Sequence, residues 1–245
     1  MDSGLEALQR TRFLSFDYRS SLPDFFRAVN GPPPFDFYRR LRYNSISSGI
    51  ETPARGGIIV NETLKVIAER YSCRDYKSEL PPDDLLYAVA RAAVQAPSGM
   101  NRQAWRVIVV RDRALLNDME AEGMARLAAM EDQGMYNRIM ERGGRLFYGA
   151  PCMIVVPIDL AQRIPALLDC GILCQNIALA ATSLGLANVM CGLAGLAFAG
   201  ARAGEFARRL GFPEGYAFGC SVLLGYANTA RPPHEPDEKK ISFIG

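Results

Sequence analysis

The sequence predicts an α+β fold, a mainly antiparallel central sheet flanked by helices, from three features. Short apolar, β-rich runs bounded by turn residues recur at 105–110, 151–158 and 217–225. Between them lie helical patterns long enough to cover a sheet, at 83–94, 115–146 and 165–184. The last of these is apolar on nearly every side, so it needs burial in a large core or against a second copy of the chain.

The elements follow in order. Residues 1–55 read as an N-terminal extension broken by Gly31-Pro32-Pro33-Pro34. Its aromatics, Phe13, Phe16, Tyr18, Phe25, Phe26, Phe35, Phe37 and Tyr38, are too many for a solvated tail. It is expected to be ordered, packed on the 56–245 body or on a partner. Asn61 can cap a helix carrying Leu64 and Ile67. Pro81 or Pro82 opens the next, with Asp83 and Asp84 at its positive end and Leu85, Leu86, Val89, Ala90, Ala93 and Val94 in one stripe. The run 105–110 is a buried strand. From 115 to 146 the pattern is helical but interrupted by Gly123, Gly134 and Gly143-Gly144, and it carries Met119, Met124, Met130, Met135 and Met140. A strand at 151–158, the helix at 165–184, a short strand within 186–193, a helix ending near Leu210-Gly211 and a strand at 217–225 complete the order.

Composition excludes several classes. With 245 residues, 49% hydrophobic and net charge +2, the chain has enough apolar residues for one sizeable core. Lys65, Lys77, Lys239 and Lys240 are the only lysines, and no basic run interleaved with aromatics points to nucleic acid. Six scattered cysteines read as buried free thiols of a cytoplasmic protein. Cys170 and Cys174 share a helix face, but His234 is the only histidine, so no metal site is expected. The stretch 170–201 is uncharged and long enough to cross a bilayer. Its Gln175, Asn176, Thr182, Ser183, Asn188 and the glycines at 185, 192, 195 and 200 instead favour a buried helix followed by a buried strand, with no membrane span.

Two polar clusters carry the chemistry. In Arg70-Tyr71-Ser72-Cys73-Arg74 the residues Arg70, Ser72 and Arg74 lie at i, i+2 and i+4, so an extended chain projects them from one side at steps of about 6.6 Å. Two planar guanidinium forks and a small hydroxyl suit a phosphate. One helix later comes Pro97-Ser98-Gly99-Met100-Asn101-Arg102-Gln103-Ala104-Trp105, a polar loop running into a strand.

The two motifs with their intervening helix resemble the nitroreductase family of FMN-dependent oxidoreductases, over roughly 61–245. The resemblance implies that Arg70, Tyr71, Ser72 and Arg74 hold the phosphate and ribityl end of FMN. The loop of Pro97, Ser98, Gly99, Asn101, Gln103 and Trp105 would reach the flavin bound mainly by the partner in a homodimer with shared sites. Ala104 stands where the family usually has proline, which frees the backbone before Trp105. Cys191, Gly192 and Leu193 would bring backbone N–H groups to flavin N5, with Gly192 permitting close approach. Lys239 or Lys240 would return to the phosphate. No side chain is expected to be catalytic: hydride from NADH or NADPH passes through the flavin to a nitroaromatic, a quinone or another small acceptor. The methionine-bearing 115–146 region is the expected source of specificity.

Other machinery is missing from the residues themselves. With one histidine in a Pro-rich tail there is no Ser/His/Asp triad in its usual form, and neither a Gly-x-Gly-x-x-Gly nor a Gly-Lys-Ser/Thr loop occurs. The alternatives are a dehalogenase or flavin-fragmenting enzyme of the same superfamily, and a non-enzymatic flavin-binding protein. Asp132 and Tyr136 have the i, i+4 spacing that would suit a halotyrosine lid. The absence of any lysine between Lys77 and Lys239 counts against it.

Overall fold

The structure, a computed structural model, describes residues 61–245. The extension expected over 1–55, and the boundary placed at 56, lie outside the described residues.

Strands β1 (Ile108–Val110), β2 (Cys152–Asp159), β3 (Ala187–Met190) and β4 (Tyr216–Gly225) form one sheet in the order β1-β2-β4-β3, each neighbouring pair antiparallel. Helices α1 (Glu62–Glu69), α2 (Asp83–Ala93), α3 (Arg113–Ala128), α4 (Gly134–Met140), α5 (Arg163–Ser183) and α6 (Ala203–Arg209) surround it. Local chemistry sets their starts. Asn61 Oδ1 accepts from Leu64 N at 2.9 Å, Pro82 precedes the first turn of α2, and Asp112 accepts from Ala114 N and Leu115 N.

The sheet divides the core in two. Cys152, Ile154, Val156 and Ile158 of β2 face α2, α5 and Trp105, while Met153 and Val155 face α3, Phe206 of α6 and the 3-10 segment Gly192–Phe198. Burial on both faces is why β2 reads as an unbroken apolar run.

Two expectations need correction. Of the 105–110 run only β1 joins the ladder; Trp105 makes an isolated bridge to Ile158. The interruption sits opposite Pro157, which has no N–H to donate and lies where the β2–β4 register shifts. Gly123 does not interrupt its helix but lies buried inside α3, where a Cβ would stand 2.6 Å from Leu146 Cδ2, so it serves packing. The short strand expected within 186–193 is β3, after which the chain turns at Cys191 into the 3-10 segment.

Helix α5 is half covered within one chain rather than wholly. Ala166, Cys170, Leu173, Cys174, Ile177 and Ala181 face the core, whereas Ile164 is 72% and Leu168 70% exposed, with Leu167 and Ile172 beside them. Together with the preceding turn, α5 is the one helix among the described residues long and apolar enough to cross a membrane. Its buried side packs on the sheet. All six cysteines are free thiols, five buried and Cys220 half-buried. Among the described residues no group of three His, Cys, Asp or Glu side chains is placed to hold a metal.

Candidate functional site

Arg70 closes α1, its N–H donating to Val66 O at 3.1 Å while its own backbone is already extended. The chain then runs beside the β3 edge and past the end of β4. Ser72 bridges Asn188, Cys73 N donates to Asn188 O at 2.9 Å, and Lys77 N donates to Tyr226 O at 2.8 Å. Asn188 is itself tied to α5 through Nδ2, which donates to Ala178 O and Thr182 Oγ1. Pairing buries Cys73 and Tyr76 and leaves Arg70, Tyr71 and Ser72 half exposed and Arg74 exposed. Neither Arg70 nor Arg74 has a carboxylate partner among the described residues. Arg74 Nη1 reaches only Ser72 O, at 3.4 Å.

The second group forms where β3 ends. Cys191 N donates to Ser221 O and Ser221 Oγ donates to Cys191 O, both at 2.8 Å, which fixes the turn. The first N–H groups of the 3-10 segment that follows have no acceptor inside it. Ala194 N donates back to Cys191 O at 3.3 Å, and burial pushes the Cys191 thiol pKa up to about 11. Gly192 N–H has no hydrogen-bond partner among the described residues, and Gly192 is exposed. A Cβ there would meet nothing within 4 Å, so packing inside one chain does not require the glycine.

Tyr76 connects these two groups. It is buried in one cluster with Cys73 and Cys191, and its hydroxyl donates to Leu223 O at 3.5 Å. Burial, reinforced by the two neighbouring thiols, drives its phenol pKa far upward.

The third group is the loop delivered by α2. Ser98 is extended, Gly99–Asn101 make a 3-10 turn, and Met100, Asn101 and Gln103 take left-handed φ values of 55°, 54° and 48°. Each such non-glycine residue costs on the order of 1 kcal/mol. Gln103 N donates to Ser98 Oγ at 3.0 Å and Gln103 Nε2 to Asn101 Oδ1 at 2.9 Å; Arg102 pairs with Gln162. Pro97, Gly99, Asn101 and Gln103 are exposed, while Trp105 anchors the far end in the core.

Within one chain the loop does not join the other two groups. Cys73, Tyr76 and Cys191 pack on the sheet face under α3, whereas Ala96, Ala104 and Trp105 pack on the opposite face with α2 and α5. Lys239 and Lys240 lie in an exposed 3-10 turn, where Lys240 pairs with Asp237 at 3.7 Å; neither hydrogen-bonds to the Arg70 segment. A different cation does approach it: burial raises the Tyr71 phenol pKa, and the charge of Arg231 works against that rise. No motif marked Arg231. Asp169 also escaped notice, although a single carboxylate amid the apolar α5 was a visible signal.

A cavity of about 610 Å3 lies along the β1 edge, lined by Leu80, Ile108, Val110, Arg111, Arg209 and Leu210 among others. None of the sequence-predicted site residues lines it. Asp132 has a structural task, since its Oδ1 accepts from Gly134 N at 2.8 Å at the start of α4.

The model of the nitroreductase family matches residues 67–226. The chain belongs to the nitroreductase family. Within that family it is 74% identical to a nitroreductase of Desulfitobacterium hafniense solved with bound FMN, with a TM-score of 0.75 over 76% of this chain and 100% of that one. A Bacteroides fragilis nitroreductase, also solved with bound FMN, is 27% identical with a TM-score of 0.68, covering 76% of this chain and 100% of its own. An Archaeoglobus fulgidus protein with the provisional name NADH dehydrogenase/NAD(P)H nitroreductase is 30% identical over 74% of this chain and 94% of its length. An iodotyrosine deiodinase of Thermotoga neapolitana matches a shorter stretch of this nitroreductase-family chain, 35% identical over 81 residues, or 34% of that enzyme.

Proposed function

We propose that this nitroreductase-family protein is an NAD(P)H-dependent FMN oxidoreductase that reduces a nitroaromatic, a quinone or a similarly small organic acceptor. The observation that carries the reading is a pair of guanidiniums, Arg70 and Arg74, without carboxylate partners among the described residues, flanking Ser72 on a segment packed beside a turn whose Gly192 N–H likewise has no partner among them. Those residues fit FMN: forked cations and a hydroxyl suit a phosphate, and an outward backbone N–H suits a ring nitrogen. Bound FMN supplies the hydride transfer between NAD(P)H and acceptor. Arg70, Ser72 and Arg74 bind the anionic end. Gly192 and Leu193 orient the ring, and the exposed amides of Asn101 and Gln103 offer donors and acceptors to its polar edge. The cations of the 239–240 pair, and Arg231 beside Tyr71, are further candidates for the phosphate.

The site is read as shared between two copies of the chain. Two features support this: the loop and the Arg70 segment lie on opposite sheet faces, and α5 exposes an apolar stripe. Six free thiols accord with a cytoplasmic location. A halotyrosine lid gains no support, because Asp132 caps α4 and no lysine stands between positions 77 and 239.

The purified protein is expected to be yellow and to release FMN on acid treatment. Under anaerobic conditions NADH or NADPH should bleach it, and a quinone or nitroaromatic should restore the colour. Recovery of FAD, or no flavin after reconstitution, would sink the cofactor assignment; flavin that no nicotinamide bleaches would leave a flavin-binding protein without this turnover.

A further inference from the structure

Asp169 is the charged residue on the core-facing side of α5 and is only 6% exposed. A buried carboxylate is costly unless something satisfies it. No arginine, lysine or histidine among the described residues pairs with it. The donor it has is Gly99 N–H, which lies 3.2 Å from Oδ1 and 3.3 Å from Oδ2 across 70 residues of sequence.

That contact falls at the start of the strained turn. Three left-handed non-glycine residues follow within four positions of Gly99, and such conformations persist only where the surroundings over-determine them. The bonds from Asn101 N to Ser98 O, from Arg102 N to Gly99 O and from Gln103 to Ser98 and Asn101 all lie within the turn and move with it. The Arg102–Gln162 contact is exposed. The bond to Asp169 is partly buried and ties the turn to the core helix.

We propose that Asp169 is the positioning residue of the 98–103 loop: its carboxylate, fixed by α5, holds Gly99 N–H and thereby sets the path that presents Asn101 and Gln103. The proposal rests on the reading above that this loop meets the flavin. Glycine itself is not the requirement at 99, since a Cβ there meets nothing within 4 Å; the N–H is. Proline at this position removes that donor, and its Cδ takes the place of the amide hydrogen and pushes against the Asp169 carboxylate; the backbone itself allows it, because Ser98 is already extended and Gly99 is the first residue of a helical turn.

The test titrates FMN into the apoproteins of Asp169→Ala, Asp169→Asn, Gly99→Pro and Asn101→Ala, and records thermal unfolding of each without FMN. Loss of a charge-assisted hydrogen bond predicts that Asp169→Ala weakens FMN binding about tenfold or more. Asp169→Asn, which keeps an acceptor oxygen, should recover most of that loss. Gly99→Pro should weaken binding at least as much as Asp169→Ala, and the double substitution, which also removes the carboxylate that the proline ring would meet, should be no worse than Gly99→Pro alone, as expected of two ends of one bond. If Asp169→Ala does not fold, Gly99→Pro against Asp169→Asn carries the same comparison.

A purely structural role would lower the unfolding temperature without FMN while leaving the folded variants with wild-type affinity, and that result overturns the proposal. Wild-type affinity in Gly99→Pro overturns it as well. Should Asn101→Ala bind FMN as tightly as wild type, the loop reading itself has failed. A weakened Asn101→Ala beside an unaffected Asp169→Ala rejects Asp169 alone.

Discussion

Replacing Arg70 by alanine should separate cofactor binding from folding. The Arg70 side chain has no ion pair among the described residues, and the hydrogen bond that ends α1 uses its backbone N–H, which alanine keeps. A half-exposed substitution of this kind changes stability by no more than about 0.5 kcal/mol. The bound phosphate, by contrast, loses a charge-assisted hydrogen bond worth about 1.5–3 kcal/mol, which weakens FMN binding by roughly 10- to 150-fold. The difference is readable in one experiment. At an FMN concentration 100 times the wild-type Kd, the ligand stabilises wild type by about 2.7 kcal/mol, and a tenfold weaker variant by only about 1.4 kcal/mol. Fluorescence titration of the apoprotein gives Kd, and melting with and without FMN gives the two stabilities. Arg74→Lys should lose less, since lysine keeps the charge and gives up only the fork. Equal FMN affinity in Arg70→Ala and wild type would place the phosphate elsewhere. A lowered unfolding temperature without FMN would mean that the guanidinium is part of the fold.

Three further outcomes follow from the geometry. Gly219 is the residue of β4 left unpaired where the register shifts, and a Cβ there would lie 2.7 Å from Ile158 Cγ2 and 2.9 Å from Val156 O; Gly219→Ala should therefore destabilise by about 1–3 kcal/mol in denaturant unfolding. Asp118 is held down to about 2, first by its hydrogen bond with Arg202 and then by that with Arg209, against desolvation. A carboxyl depressed in the folded state contributes stability that is present above its unfolded pKa of about 3.9 and is lost as pH falls toward 2, so Asp118→Asn should flatten the fall of the unfolding temperature in that window. Placing glutamate at Ile164 and Leu168 should convert the proposed dimer to monomer in sedimentation while the isolated chain stays folded, because both side chains are exposed within one chain; a dimer unchanged by both substitutions would reject α5 as the contact.

The features legible in the sequence are those whose causes are local. Asn61 caps its helix through a residue three positions away, Pro82 stands where an N–H is not needed, and β2 shows its double burial as an apolar run. The Arg70-Ser72-Arg74 spacing likewise needs only an extended backbone to line up its side chains. What the sequence left open depends on residues brought together from far along the chain. The ladder beside Trp105 breaks because of Pro157, about fifty positions later; Gly123 is a packing residue because Leu146 lies over it; and α5 has an uncovered side because one sheet can bury only one face of a helix. The hold of Asp169 on Gly99, the approach of Arg231 to Tyr71, and the separation of the loop from the Arg70 segment by the thickness of the sheet are of the same kind. Periodicity and capping act over a few residues and are written in the order of the chain. A contact across 70 residues exists only once the layers have packed, so the tertiary structure alone decided it.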